Sequence, residues 1–543
     1  MRFSKVYLLL LSVSNQYMTA QVNIENTISK VWIADNGDGT YKNPILHADY
    51  SDPDVIRVGE DYYMTASSFN CIPGLPILHS KDMVNWELVN YALQKQPPFD
   101  VYDTPQHGNG VWAPCIRYHN EMFYIYYPDP DFGIYMIKTK NPKGLWSEPT
   151  LVKEGKGIID PSPLWDDDGK VYLAYAFAGS RAGIKSILAI CTLNSEGTAA
   201  NNDDVMIIDG HIGEGTIEGP KLYKRNDFYY IFAPAGGVAT GWQTVLRSKN
   251  IYGPYEKRKV LEQGNTKING PHQGAWVQTV SGEDWFFHFQ DKGAYGRIVH
   301  LQPMKWQDNW PVIGEDKDKN GVGEPVASYK KPNVGTIYPI VTPPDSDEFN
   351  APKLGLQWQW HANPKLYWGL PSSSGYYTLF CQPKVENTIN LFEVPNLLLQ
   401  KFPSNQFTAT AKMTFNSRFD GENTGLIIMG LDYSYLKVQQ DDGALFISQV
   451  NCNNADNKGT ETKTESIKLA NKTFYLQVKV KEGGICSFFY SVDGKQFESV
   501  GNDFKSTAGK WIGAKIGFAA LREGKINDAG SVAIDWIRFN KNN

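Results

Sequence analysis

Hydrophobic and polar residues alternate in short runs along this chain, and this period of two is typical of β-strands. No segment keeps apolar residues at i, i+3, i+4 and i+7 over three helical turns. One clear alternating run places Phe407, Ala409, Ala411, Met413 and Phe415 between Thr and Lys residues, the pattern of a half-buried strand. The chain is therefore predicted to be all-β.

A short aromatic strand motif recurs five times in the N-terminal part. Its central residues are Tyr63, Tyr124, Tyr172, Tyr230 and Phe287, with successive spacings of 61, 48, 58 and 57 residues. A period of this length suits four-stranded propeller blades. We expect a five-bladed β-propeller over residues 40–330.

A second domain is predicted to follow the propeller. Residues 331–345 continue a stretch rich in Pro, Gly and Ser, which suits an exposed linker. Alternating strands resume in residues 346–543, where Phe474, Leu476, Val478 and Val480 form another apolar series. Asp493-Gly494 predicts a two-residue hairpin turn, because glycine accepts the positive φ that such turns require. These signals favour a β-sandwich.

The first twenty residues have the layout of a secretory signal peptide. Arg2 and Lys5 precede a mostly apolar run over residues 6–13, and small residues follow towards position 20. We therefore expect export to the periplasm or the medium. No later stretch approaches the roughly 18 consecutive apolar residues of a membrane helix, so no membrane span is predicted.

The net charge and the cysteine content limit the kinds of ligand and substrate that the protein is expected to bind. The net charge of −5 and the pI near 6.0 provide no basic field for phosphates, which argues against nucleic acid as a partner. An uncharged or weakly charged substrate fits better. Six cysteines without a CxxC pair argue against a zinc or redox site and favour buried free thiols. The sequence leaves the oligomeric state open.

A chemically distinctive residue precedes each copy of the aromatic motif by about 12 positions. These residues are Asp52, Trp112, Asp160, Glu218 and, slightly farther back, His272. The innermost strands of a propeller line its central channel, so equivalent positions of five blades converge around one axis. Because these residues stand at nearly the same distance before the aromatic motif in each repeat, they are predicted to line one shared pocket.

The three acids of this set suit glycosidic bond cleavage. Such cleavage needs one protonated carboxyl to donate to the leaving oxygen and one ionised carboxylate to activate water or attack the sugar. Asp52, Asp160 and Glu218 are each followed closely by proline, which can fix the acid at the start of an inner strand. A lone Asp-Pro pair is usually a turn, but three at one repeat phase indicate function.

These motifs resemble glycoside hydrolase family 43, which includes β-xylosidases and α-L-arabinofuranosidases. Residues 110–114 (GVWAP) and 79–86 (HSKDMVNW) resemble two further hallmarks of that family. The resemblance implies Asp52 as general base, Glu218 as general acid, and Asp160 as the residue that holds the protonation and orientation of the acid. A neighbouring carboxylate should raise the pKa of Glu218 enough to keep it protonated near neutrality while both aspartates stay charged.

The same resemblance assigns further residues. Arg297 is similar to a family arginine that donates to substrate hydroxyls, with a surface ion pair as the alternative. His272 matches a histidine near a central calcium ion or water cluster, which implies a structural Ca²⁺ in the propeller centre, although the chemistry itself requires no cofactor. Trp112 and Phe69 are expected to wall the sugar subsite, and either could instead pack between blades.

The C-terminal part of the sequence indicates which subgroup of the family the chain resembles. Residues 347–360 and 533–539 resemble the sandwich, a concanavalin-like jelly roll, of xylosidase-like family members. The resemblance implies an inverting, exo-acting enzyme that releases xylose or arabinose from xylan-derived oligosaccharides, with base and acid carboxyls roughly 6.5 to 9.5 Å apart.

Three alternatives remain open at this point. The first is an α-L-arabinofuranosidase that removes side chains from arabinoxylan or arabinan, because the two sugars place similar groups around the scissile bond. The second is a non-catalytic carbohydrate-binding propeller. The third is a retaining fructan-cleaving enzyme, from whose pattern the first repeat departs.

Overall fold

The computed structural model describes residues 28–524 and 527–542, so the signal-peptide prediction for residues 1–20 lies outside the described residues. The fold is nearly all β, as predicted, and comprises a five-bladed propeller and a sandwich. Helical structure is confined to α1 (Gly179–Ala182), α2 (Gly237–Thr240) and the short 3-10 turns Val101–Asp103, Gly293–Tyr295, Leu366–Trp368, Leu391–Glu393 and Ala455–Asn457. Within this part of the chain, no helix is long and apolar enough to cross a bilayer.

Strand β1 (Thr40–Lys42) precedes five four-stranded antiparallel blades. Blade one contains β2 (Asp54–Val58), β3 (Asp61–Thr65), β4 (Gly74–Ser80) and β5 (Trp86–Leu93). Blade two contains β6 (Cys115–His119), β7 (Met122–Asp129), β8 (Gly133–Thr139) and β9 (Thr150–Glu154). Blade three contains β10 (Ile158–Trp165), β11 (Val171–Phe177), β12 (Ile187–Leu193) and β13 (Val205–Asp209). Blade four contains β14 (Lys221–Arg225), β15 (Phe228–Ala235), β16 (Trp242–Ser248) and β17 (Glu256–Leu261). Blade five contains β18 (His272–Gln278), β19 (Asp284–Asp291), β20 (Arg297–Gln307) and β21 (Trp310–Ile313).

The first strand of each blade faces the propeller axis. β2 contacts β6, β6 contacts β10, β10 contacts β14, and β18 contacts β2. The aromatic motif that predicted the blades lies on the second strands, with Tyr63 on β3 and Phe287 on β19 at the two ends of the series. The distinctive residues about 12 positions earlier therefore lie at or just before the inner strands.

The ring closes through the N-terminal segment. β1 pairs with β22 (Ser328–Lys330), which follows blade five. The Asn43 side chain donates to the carbonyls of Leu301 and Val326 at 2.8 Å each and accepts from the Leu301 amide at 2.9 Å. One asparagine thus ties the entry of the propeller to its last blade.

The second domain contains two packed sheets. The first has the order β23 (Gln359–Trp360), β27 (Leu398–Lys401), β38 (Lys515–Arg522), β29 (Asn423–Met429), β30 (Tyr433–Asp441), β31 (Ala444–Cys452) and β32 (Thr462–Lys463), with β26 (Gln382–Pro383) beside β38 and β33 (Ile467–Lys468) beside β31. The second has the order β24 (Gly369–Pro371), β25 (Tyr377–Phe380), β39 (Ser531–Asn540), β28 (Phe407–Asn416), β34 (Thr473–Lys481), β35 (Ile485–Ser491) and β36 (Glu498–Ser499), with β37 (Phe504–Lys505) beside β35.

The predicted alternation is confirmed in the sandwich core. In β28 and β34 every apolar residue of the two series is buried, and most of the intervening residues are half-buried. All six cysteines are buried free thiols, as expected.

The predicted two-residue hairpin at Asp493-Gly494 is wrong. The last pair between the flanking strands is Tyr490 with Glu498, which leaves residues 491–497 as a longer loop. The Asp493 carboxylate accepts from the amides of Lys495 and Gln496 at 2.8 and 3.0 Å, so local side-chain bonds replace the tight turn.

The sandwich packs directly on the propeller. Ile72 and Trp360 exchange two backbone hydrogen bonds of 3.0 and 2.6 Å. The Asn70 amide donates to the carbonyl of His361 at 2.7 Å. These buried bonds hold the sandwich over one end of the propeller. At that end lie the distinctive residues that precede the first strand of each blade.

Candidate active site

The three acids lie at the entrances of three inner strands. Asp52 precedes β2, Asp160 is the third residue of β10, and Glu218 precedes β14. Asp52 and Asp160 both adopt left-handed backbone conformations, with φ of 54° and 57°. Such a φ in a non-glycine residue costs about 1 to 3 kcal/mol and persists only where the surrounding structure enforces it.

The structure brings all seven predicted site residues to one cavity of about 820 Å³, including its open mouth. They are Asp52, Phe69, Trp112, Asp160, Glu218, His272 and Arg297. Seven further residues complete the lining: Ala113, Ile159, Thr216, Gly237, Val238, Gln273 and Trp511. Three carboxylic side chains face one arginine here, so the cavity suits a reaction in which positive charge develops on the substrate.

Asp52 is held by a dense set of donors. Its Oδ2 accepts from the hydroxyls of Ser51 and Ser67 at 2.7 and 2.6 Å. Arg297 Nη1 lies 3.2 Å from Oδ1 and 3.3 Å from Oδ2. Both partners are buried, so Arg297 forms an interior ion pair and not the surface pair considered as its alternative. Donors on both oxygens stabilise an ionised, fixed carboxylate.

Asp160 and Glu218 form an electrostatically coupled pair. Burial and the neighbouring Glu218 charge raise the pKa of Asp160 to about 8, against a single amide donor, Gly219 N, at 2.8 Å from its Oδ2. Asp160 is 4% exposed, whereas the Glu218 side chain is 28% exposed. The more deeply buried carboxyl pays the larger desolvation cost, so the raised pKa lies on Asp160, contrary to the expectation that both aspartates stay charged.

His272 lies beside Glu218. Its Nε2 lies 3.3 Å from Glu218 Oε1, and its ring is almost fully buried. Within residues 28–524 and 527–542, no group of three or more His, Cys, Asp or Glu could hold a metal ion. Because Ca²⁺ takes six to eight oxygen ligands, these side chains do not form a calcium site by themselves. The calcium ion therefore stays a prediction, and the structure gives His272 a contact with an acid instead.

Two aromatic rings form one wall. The rings of Phe69 and Trp112 lie 6.5 Å apart between centroids, and Trp112 Nε1 donates to the Gly108 carbonyl at 2.9 Å. Phe69 and Val111 pair across this wall, and Gly110 sits where a Cβ would lie 2.4 Å from the Phe69 oxygen. Only glycine permits that backbone approach, so it sets the position of both rings.

Comparison with known proteins agrees with this site. The sequence profile described as "Glycosyl hydrolases family 43" matches residues 41–311, and that described as "Beta xylosidase C-terminal Concanavalin A-like domain" matches residues 346–540. A "Putative beta-xylosidase" of Xylanibacter ruminicola is 40% identical over 499 residues, which cover 90% of this chain and 88% of the relative. The chain belongs to glycosyl hydrolase family 43.

Two further similar proteins are a relative with a different named activity and a family 43 protein of known crystal structure. A "Non-reducing end alpha-L-arabinofuranosidase" of Bacteroides ovatus is 29% identical over 73% of this chain and 75% of its own. The crystal structure of a mutant of the GH43 protein BlXynB from Bacillus licheniformis superposes with a TM-score of 0.80 at 27% identity, covering 93% of this chain and all of that one. As a family 43 protein with this carboxyl cavity, the chain is a glycosidase.

Sequence reasoning missed one prominent wall of this family 43 cavity. Trp511 lies on the loop between β37 and β38 of the sandwich, with φ of 66° and 48% of its surface exposed. Its ring meets that of Trp112 edge-on at 6.3 Å between centroids. The only signal in the sequence is a tryptophan between Gly509 and Gly513 in a segment without strand alternation.

A buried polar network lies two to three residues beyond the acids along the inner strands. The Asp54 carboxylate accepts from Arg117 Nη1 at 2.8 Å and lies 3.6 Å from Lys221 Nζ. Arg117 Nη2 and the Leu222 amide both donate to Ser162 Oγ, at 3.1 and 2.9 Å. The network joins the inner strands of blades one to four beneath the cavity.

Proposed function

We propose that this family 43 glycosidase is an exo-acting, inverting β-xylosidase that releases single xylose units from xylan-derived oligosaccharides. The observation that carries the proposal is the convergence of Asp52, Asp160 and Glu218 from three blades on one cavity, with Arg297 on Asp52 and His272 beside Glu218. A Xylanibacter ruminicola relative that covers most of the chain is named a β-xylosidase, which supports the choice of sugar.

Asp52 supplies the base in this proposal. Its ion pair with Arg297 and its two serine donors hold the carboxylate in a fixed position. The carboxylate accepts a proton from a water molecule as the water oxygen attacks the anomeric carbon. Because the attack comes from the face opposite the leaving group, the configuration at that carbon inverts.

Glu218 supplies the acid. It donates its proton to the glycosidic oxygen while the bond to the anomeric carbon breaks, and it is the more exposed member of the coupled pair. As the acid, Glu218 must carry the proton at the moment of donation. Asp160 accepts from the amide of Gly219, the residue next to Glu218, and His272 lies 3.3 Å from the Glu218 carboxyl, so both residues are placed to orient the acid.

The sandwich supports exo action. Trp511 packs edge-on against Trp112 in the cavity wall, so a ring from the second domain extends the wall that an open cleft would lack. A single terminal sugar fits such a closed arrangement, and internal cleavage of a long chain does not.

A second sugar is a direct alternative. The Bacteroides ovatus relative is named a non-reducing-end α-L-arabinofuranosidase, and the same three carboxyl groups would serve both sugars. The 4-nitrophenyl glycosides of β-D-xylose and α-L-arabinofuranose, assayed side by side, distinguish the two, because the larger kcat/KM names the main activity. The configuration of the first-formed sugar, followed by NMR, tests inversion in the same reaction.

A silent carbohydrate-binding propeller is the alternative from another class. Asp52→Ala and Glu218→Ala should each lower kcat by several orders of magnitude with an intact fold. If the wild-type protein hydrolyses neither glycoside but binds xylo-oligosaccharides, the binding function replaces the enzymatic one.

We further propose export to the periplasm or the medium. The proposal rests on the composition of residues 1–20 alone. The N-terminal sequence of the protein isolated from its producing cells tests it, since a chain that still begins at Met1 would contradict cleavage.

A further inference from the structure

One buried carboxylate, Asp49, connects the arginine of the cavity with the loop that carries Trp511. Its Oδ1 accepts from the Arg297 backbone amide at 2.9 Å, and its Oδ2 accepts from the Gly513 amide at 2.9 Å. Arg297 is the partner of Asp52, and Gly513 follows Trp511 by two residues. Asp49 is 4% exposed, so neither bond competes with bulk water.

The backbones that Asp49 joins also touch each other. A Cβ on Gly513 would lie 2.8 Å from the Gly296 nitrogen, and a Cβ on Gly296 would lie 2.5 Å from the Asp49 side chain. The Ala514 amide donates to the Ala294 carbonyl at 2.7 Å. The sandwich loop therefore packs against the turn that leads into Arg297, so closely that neither glycine has room for a side chain.

Asp49 is not used by the hydrolytic steps. It does not line the cavity, and in the part of the chain that the structure describes it has no salt bridge within 4 Å. Its two oxygens instead satisfy two amides from different domains, which a smaller or neutral side chain could not do simultaneously. A carboxylate with these two bonds can hold the propeller and the sandwich at a fixed distance from each other beside the cavity.

We propose that Asp49 is a positioning residue that couples docking of the Trp511 loop to the placement of Arg297 against Asp52. The inference rests on the proposed function, because it concerns the same cavity. When Asp49 holds both amides, the outer wall and the base have one fixed relative position. When the bond from Gly513 to Asp49 breaks, the loop that carries Trp511 is no longer held against the propeller. The substrate is then no longer aligned with the base.

A double-mutant cycle tests this coupling. Asp49→Asn keeps the size of the side chain but places an NH₂ donor against one of the two amide donors. We expect Asp49→Asn and Trp511→Ala each to lower kcat/KM roughly 10- to 100-fold, since a misplacement of about 1 Å at an active site has an effect of this order. If Asp49 acts through the loop, the double variant should be little worse than the worse single variant, because the second change removes a wall already displaced.

Asp82→Asn is the matched control. Asp82 is a buried carboxylate of blade one that accepts from the backbone amides of Val84 and Asn85 at 3.0 and 2.8 Å and does not line the cavity. Asp82→Asn should lower the Tm. Its effect on kcat/KM should combine additively with that of Trp511→Ala, unlike the effect of Asp49→Asn. Full activity of Asp49→Asn, or a double variant whose loss is the product of the single losses, would overturn the inference.

Gly513→Ala examines the same contact from the sandwich side and serves if Asp49→Asn does not fold. Its new Cβ must push the loop away from Gly296, whereas Asp49 stays intact. We expect the loss of kcat/KM seen for Trp511→Ala, and wild-type kinetics would count against the inference. If the wild-type enzyme itself cleaves neither pentoside, the proposed function has failed, and the cycle is then run on binding of xylo-oligosaccharide, where additive losses still reject the coupling.

Discussion

Arg297 contacts Asp52 through a single nitrogen. Nη1 lies 3.2 and 3.3 Å from the two carboxylate oxygens and also donates to Ser51 Oγ at 2.8 Å. Arg297 Nε has no hydrogen-bond partner among the described residues. The arginine therefore fixes the base with one nitrogen. Because Nε is buried, Nη2, which has no hydrogen-bond partner among the described residues, is the donor left for a substrate hydroxyl.

Arg297→Lys separates these two roles. A lysine can supply one charged donor to Asp52, but it lacks the fork that would reach a hydroxyl as well. We expect KM for the 4-nitrophenyl pentoside to rise about 10-fold or more, in line with loss of a charge-assisted hydrogen bond, while kcat falls less. Arg297→Met should lower kcat as well. Arg538→Lys, in an exposed pair with Glu348, is the control and should leave both constants near wild type.

Trp511→Ala should change the choice of substrate length. Loss of the ring removes the sandwich part of the wall beside Trp112, so discrimination between xylobiose and longer oligosaccharides should weaken. Product analysis by chromatography measures the ratio of rates on the two substrates. Tyr367→Ala removes a sandwich aromatic that is 62% exposed and should leave that ratio unchanged. A Trp511→Ala enzyme with the original ratio would show that the ring does not limit chain length.

Asp160→Asn should lower activity and raise stability. The folded protein binds a proton on Asp160 up to about pH 8, whereas the unfolded chain releases it near 3.8, so this group lowers stability increasingly as pH rises through that window. The amide removes that cost and also the carboxyl that the proposed mechanism places beside the acid. We expect a higher Tm than wild type at pH 7, a smaller difference at pH 4, and a lower kcat/KM at both pH values. A lower Tm at pH 7 would contradict the assignment of this cost.

A buried histidine cluster should make the propeller sensitive to acid. His288 and His300 stack at 5.2 Å in blade five, and burial lowers the pKa of His300 well below its usual value, with smaller contributions from His288, His47 and Lys292. Burial lowers the pKa of His288 from 6.5 to about 4, so its contribution to stability is lost as pH falls from about 6.5 towards 4. At pH 5 that loss is about 2 kcal/mol for His288.

His300→Leu tests the origin of that sensitivity. Both ring nitrogens of His300 are buried and have no hydrogen-bond partner in the described part of the chain, so an apolar replacement should cost little at pH 7. Tm measured from pH 7 to pH 5 should fall less for the variant than for wild type. Equal slopes would place the acid sensitivity elsewhere.

The repeat phase was enough to predict the propeller and five residues of the cavity, whereas Arg297 and Phe69 were predicted from the family resemblance. Propeller blades are regular, so a residue that precedes the same strand in each blade reaches the same axis, and Asp52, Asp160 and Glu218 could be found by counting. Trp511 could not, because its position depends on how a sandwich loop docks on the propeller, and no periodicity links the two. The site of the raised pKa was also out of reach, because it depends on the relative burial of Asp160 and Glu218 and not on their order in the chain.

The walls of the cavity have separate origins in the chain. The carboxyl groups belong to the propeller, and among the described lining residues Trp511 alone comes from the sandwich. Bond cleavage and the length of substrate admitted can therefore diverge through changes in different domains. A short glycine-bordered loop is a small target for such change, and enzymes with the same acids could acquire new chain-length preferences without any alteration of their chemistry.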